Sequence, residues 1–189
     1  MGISCATATI TLAQTYLPPV FGSDTLNMRP DKISQLHIAP RRIVWTSGET
    51  QVQNPNVLLK LSDGQSEMSR VNTCLLRSEG RDTASILFDY GRELHGGLKL
   101  VLSASNKREP SAVRIRFGES VGEACSSVKY GTDEKGYATN DHAMRDFILD
   151  IPRNGQIEIG NTGFRFIRID LLQTGVDVRI KEASAILRY

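Results

Sequence analysis

An all-β, antiparallel sandwich is the fold this sequence predicts, and three observations predict it. From Ile86 to Leu171 apolar and polar residues alternate with period two, as in strands with one buried and one wet face. Polar clusters marked by glycine break the alternation at short intervals. No long helical period intervenes, so the strands connect as antiparallel neighbours.

Size and composition bound the rest. The 189 residues are enough for one self-sufficient core. With 23 Lys and Arg against 21 Asp and Glu, the net charge of +2 is too balanced for a nucleic-acid partner, which needs a clustered basic face. The doublet Arg41-Arg42 reads as a solvated strand end rather than a phosphate site. No apolar run approaches the ~18–20 residues of a membrane span. Cys5, Cys74 and Cys125 have no metal-ligand spacing and are odd in number. Cys74 reads as a small buried hydrophobe, with a Cys74–Cys125 bridge as the alternative.

Residues 1–40 read as an extended or partly disordered leader, punctuated by Pro18-Pro19, Gly22-Ser23-Asp24 and Arg29-Pro30-Asp31. Ile3 to Val20 is apolar but lacks a basic start, so it makes a poor signal peptide. The sandwich is expected over 41–189. Arg42 to Thr46 is its first strand, with Trp45 as a core or inter-sheet anchor rather than a sugar-stacking platform. Asn56 to Leu61 reads as a second strand and Asn72 to Leu76 as a third, closed by Glu79-Gly80. Ala84 to Asp89 is a strand, Tyr90 to Gly97 a loop, and Leu98 to Ser103 the next strand. After the polar turn Asn106–Pro110, Val113, Ile115 and Phe117 alternate with Arg114 and Arg116. A long loop runs from Glu119 to about His142, and loops of that length in compact domains are often functional. Phe147, Leu149 and Ile151 mark another strand, which turns at 152–155 into Gln156 to Ile159. In Phe164-Arg165-Phe166-Ile167-Arg168-Ile169 the alternation slips once, at Phe166 and Ile167, as a β-bulge or a change of sheet would make it. Val176 to Lys181 and Ala183 to Tyr189 complete the set.

Four blocks carry a family likeness. They are Asp89-Tyr90-Gly91-Arg92-Glu93-Leu94-His95-Gly96-Gly97, Arg116-Phe117-Gly118-Glu119-Ser120, Asn140-Asp141-His142-Ala143-Met144-Arg145-Asp146-Phe147 and Gly160 to Asp170. In this order they resemble the N-terminal β-sandwich region of Bacteroides-type α-L-rhamnosidases of glycoside hydrolase family 78, over roughly residues 40–189. The resemblance implies a jelly-roll, galactose-binding-like sandwich and an exported protein, periplasmic or secreted. In that family the inverting chemistry needs two carboxylates around a water, and they lie on an (α/α)6 barrel that this sequence does not contain. The resemblance therefore implies an accessory domain that packs on the catalytic domain of a parent enzyme. The alternatives are an autonomous carbohydrate-binding module and a rhamnosidase activity belonging only to a longer parent chain.

Each candidate site has a functional and a structural reading. In the Asp89–Gly97 loop, Asp89, Tyr90, Glu93 and His95 offer hydroxyl-binding groups, and Gly96-Gly97 admits a ligand or another backbone. The structural reading, favoured here, makes Asp89 a turn cap and the glycines a packing device. Glu119 opens the long loop that carries Tyr130, Asp133, Glu134, Tyr137, Asn140 and Asp141. Its oxygens suit calcium, which some family sandwiches use, but no ligand spacing supports it, so no cofactor is expected. Asn140, Asp141, His142 and Arg145 either orient a polar ligand or pin the loop, with Arg145 pairing to Glu119. Arg165 and Arg168 either hold a carboxylate or make cross-strand pairs with an acid such as Glu158 or Asp146. No catalytic triad, nucleophile elbow or phosphate loop is present, and no catalytic residue is assigned.

Overall fold

The computed structural model describes residues 35–126 and 145–188, and among these it is an antiparallel β-sandwich. Its strands are β1 (Gln35–Ile38), β2 (Arg42–Thr46), β3 (Val52–Gln53), β4 (Cys74–Ser78), β5 (Ser85–Ser105), β6 (Ser111–Gly118), β7 (Asp146–Ile151), β8 (Gly155–Leu171) and β9 (Val176–Arg188). One short helix, α1 (Val121–Cys125), follows β6. The strands run in the order β3-β4-β9-β5-β8-β6-β7, with β1 beside β9 and β2 beside β5.

Partner exchange along β5 lets one hydrogen-bonded network wrap around a core. Its first half, Ser85 to Asp89, lies between β2 and the end of β8. Its second half lies between the start of β8 and β9. The exchange coincides with a register shift between Asp89 and Leu94, where Gly91 holds φ +84°. The segment expected as a loop, Tyr90 to Gly97, is therefore the bent middle of one long strand. Tyr90 and Leu94 are buried there and anchor the bend.

Phe88, Leu98, Leu100, Leu102, Ile115, Phe117, Phe164, Ile167 and Ile169 fill the core and are essentially inaccessible. Phe164 packs edge-on against both Tyr90 and Phe117, and Phe117 against Phe147. The slip near Phe166 is real but lies one step earlier than expected. Pairing of β8 runs unbroken from Phe166 to Asp170, and the irregularity falls opposite Phe164–Phe166. Phe164 thus enters the main core, while Phe166 turns to the other face and joins Leu87 and Ala124 under α1.

Other expectations meet local chemistry that overrides pattern. Asn56 to Leu61 is not a strand; Pro55–Leu59 is a 3-10 turn entered through Asn54 at φ 55°. Pro55 has no N–H to give a ladder, and the turn delivers Leu58 fully into the core. The strand expected from Asn72 starts instead at Cys74, because Asn72 holds φ 53°. The two terminal strands are one, β9, irregular near Lys181. Cys74 is buried and free, with burial pushing its thiol up to about 12, and Cys125 is also free, so the alternative bridge does not form.

Candidate functional site

The outer face of the β2–β5–β8–β6 layer carries the densest group of unusual side chains. Its placement follows from pairing, since opposing residues of antiparallel strands project from the same face. One rung across the layer joins Trp45, Leu87, Arg168 and Arg116; the next joins Arg42, Asp89 and Phe166.

Trp45, expected in the core, is 45% exposed. The cause is a bulge in β2. Ile43 opposes Phe88 and Trp45 opposes Leu87, so two steps on one strand match one on the other. The extra residue turns the indole away from the core and onto the outer face. There the Arg168 guanidinium lies 5.2 Å from the centre of its ring system, a cation–π arrangement. Val44 and Cys125 pack at the border of the small cluster beneath α1.

Two buried carboxylates organise the charges around this platform. Asp89 receives Arg42 Nε at 2.9 Å, and Arg165 through Nε at 2.9 Å and Nη2 at 3.0 Å, with the Gly91 backbone N–H at 2.7 Å. The Arg165 guanidinium also lies 5.0 Å from the Phe166 ring centre. Asp170 receives Arg116, Arg168 and the Ser85 hydroxyl, and Arg116 also donates to the Cys125 and Ser126 carbonyls that end α1. Arg165 thus makes the expected cross-strand pair with an acid, Asp89, while Arg168 pairs along its own strand with Asp170. Asp146 pairs with Arg114.

The hydrogen bonds from Arg165 lead those that hold the Asp89 carboxyl far below the usual carboxylate range, against the opposing effect of burial. For Asp170 burial raises the value, but the bonds from Ser85, Arg168 and Arg116 outweigh it and the net shift is downward. A depressed folded value adds stability that is fully present above the unfolded value, about 4, and is lost as pH falls towards the folded one. Urea midpoints measured from about pH 7 to about pH 2 are therefore expected to fall steeply below about pH 4. Asp89→Asn should shallow that slope. A midpoint indifferent to acid would contradict the assignment.

The residues singled out by sequence divide between two places. Asp89 and Tyr90 are buried; the Tyr90 hydroxyl donates to the Ala183 carbonyl at 3.2 Å. Glu93 and His95 are exposed. His95 opposes Gly163, and Glu119 Oε1 lies 3.4 Å from where a Cβ on Gly163 would stand, so His95 and Glu119 share one small area. Arg145 pairs there with Glu119 at 2.9 Å and with Glu123 at 3.3 Å, as expected for the first. Asn140, Asp141 and His142 lie outside the described residues, as do Tyr130, Asp133, Glu134 and Tyr137. Gly96 and Gly97 do admit another backbone. A Cβ on Gly96 would strike the Ile186 carbonyl of β9, and one on Gly97 would lie 2.5 Å from the Gly160 carbonyl oxygen of β8.

No family model matches the sequence, and no curated protein matches it. Solved structures do. One is a rhamnosidase from Klebsiella oxytoca with rhamnose bound, at 15% identity and a TM-score of 0.50, covering 82% of this chain and 29% of that one. Another is a fucose binding module from Streptococcus pneumoniae, at 14% identity and a TM-score of 0.46, covering 82% and 96%. A third is a family 78 rhamnosidase from Bacillus sp. GL1, at 14% identity and a TM-score of 0.45, covering 70% and 12%.

The likeness is one of fold. At 15% identity the Klebsiella structure establishes the antiparallel sandwich, and this chain spans less than a third of that enzyme's length. Which face is used must come from the chain's own residues. Among the described residues no three His, Cys, Asp or Glu side chains gather as a metal site. Asp89, Asp146 and Asp170 on the outer face and Glu119 in the His95 area are instead engaged by arginines. No helix among the described residues is long and apolar enough to cross a membrane.

Sequence reasoning missed the exposure of Trp45, though a signal existed. Ile43-Val44-Trp45 is an unbroken apolar run, which a one-faced strand does not need but a bulged one does.

Proposed function

We propose that this chain is a non-catalytic carbohydrate-binding sandwich of a rhamnosidase-type protein, exported with it, and that it binds glycans on the outer face around Trp45. The observation that carries the reading is the exposed indole, held by the Arg168 guanidinium, with Arg42 at the next position on the same face. The part of the indole that Arg168 leaves uncovered matches the C–H face of a sugar ring, while flanking N–H donors meet its hydroxyls. The fold shared with a rhamnosidase supports a rhamnose-containing glycan as the first ligand to test.

Calorimetric titration with rhamnose-containing oligosaccharides is the test. Trp45→Ala is expected to weaken binding at least about tenfold, because stacking and its buried area vanish together. A chelator should leave the affinity unchanged, because the carboxylates Asp89 and Asp170 of this face are already paired with arginines. The chain should leave an aryl rhamnoside intact. If Trp45→Ala binds like the parent chain, the platform is not the site. Binding lost on chelation would move the site to the Glu119–Asp141 loop.

A second reading is favoured by β7. Among the described residues it is an edge strand, and Ile148 on it is 69% exposed. Such an edge suits packing against a neighbouring catalytic domain. Loss of solubility relieved by Ile148→Lys, with no glycan binding by the parent chain, would favour that role.

A further inference from the structure

The geometry points to an acidic glycan as the ligand of this face: a uronate carboxylate held by Arg42 and Arg165 beside a ring stacked on Trp45. The inference deepens the carbohydrate reading and rests on it. Three observations carry it.

The first is spacing. Arg42 opposes Asp89 and Trp45 opposes Leu87, two residues apart on β5 and on one face. Same-face neighbours along a strand stand about 7 Å apart. A ring on the indole thus places its substituent, or that of the next sugar, against the Arg42 guanidinium.

The second is unspent bonding capacity. Arg42 is 63% exposed and engages Asp89 through Nε alone. Its two terminal nitrogens have no partner among the described residues, and together they match the two oxygens of a carboxylate. Arg165 is 38% exposed and is fixed by Asp89 on one edge and by the Phe166 ring. Both guanidiniums are therefore oriented before a ligand arrives.

The third is charge. Arg42, Arg165, Arg116 and Arg168 converge on only two carboxylates, Asp89 and Asp170. Glu93 also acts on Arg165 and offsets part of the surplus. The face remains cationic although the chain as a whole is nearly neutral. A neutral sugar makes no use of that surplus; a uronate does.

The experiment compares oligosaccharides cut from an acidic, rhamnose-bearing plant polysaccharide with the same oligosaccharides after reduction of their carboxyl groups to alcohols. The acidic form is expected to bind about tenfold more tightly. Arg42→Gln should abolish that ratio. Asp89 keeps Arg165 and the Gly91 N–H in this variant, and a thermal melt checks the fold. Should the variant not fold, the salt dependence of the parent chain replaces it, with the ratio shrinking as salt rises from about 0.02 M to about 0.5 M. Equal binding of both forms, or a ratio that survives Arg42→Gln, overturns the acidic preference and leaves the carbohydrate reading standing. Binding of neither form overturns both.

Discussion

Replacing Asp170 by alanine is expected to cost about 3–5 kcal/mol of unfolding free energy, the range for breaking a buried ion pair from one side. Arg116 is only 5% exposed, and its Nε has no partner among the described residues. Its remaining bonds go to Asp170 at 2.6 Å and to the Cys125 and Ser126 carbonyls. Without Asp170 a buried guanidinium keeps only carbonyl dipoles. Arg168 and the Ser85 hydroxyl lose the same acceptor. Urea denaturation at neutral pH checks the loss, read as a lower midpoint with an unchanged slope. The double replacement Asp170→Leu with Arg116→Met should recover part of it, because the most deeply buried charge is removed with its partner, while Arg168, 21% exposed, still reaches water. If Asp170→Ala unfolds where the parent chain does, the network is decoration.

That network also shows what could be read in the sequence and what could not. Alternation fixed the strands around Ile86, Leu100, Ile115 and Ile169, because each has one face in the core. It also exposed a slip near Phe166. It could not say which face is wet, since α1 covers part of the second face and makes Leu87 and Phe166 apolar there as well. Nor could it place Trp45. One bulge reverses every side chain beyond it, and a bulge is a matter of partner register that one strand's sequence does not contain. Pairing between distant charges was legible only where residue types were few. Arg145 with Glu119 was foreseen, whereas Arg165 with Asp89 joins residues 76 positions apart through the bend in β5. In sequence the Asp89–Gly97 block reads as a loop because glycine and charge cluster in it. Its glycines serve strand contact instead.

Gly96→Ala and Gly97→Ala follow from that contact, and each is expected to destabilise the sandwich by about 3 kcal/mol, the upper end of ordinary overpacking. The atoms in the way are backbone, not flexible side-chain ends. On Gly96 the new methyl meets the Ile186 carbonyl of β9; on Gly97 it meets the Ile159 and Gly160 carbonyl oxygens of β8, at 2.6 and 2.5 Å. Relief requires β5 to move away from a neighbour on either side, at the point where it passes between β8 and β9. Gly122→Ala is the control. Its Cβ would meet only the Ser120 hydroxyl at 3.8 Å, ordinary contact distance, and alanine favours the helix of α1. Thermal melts should therefore drop sharply for the first two variants and stay level or rise for the third. The contrast separates tight strand packing from a ligand-binding role for the glycine pair. A glycine pair kept open for a ligand would tolerate alanine in the melt and lose binding alone.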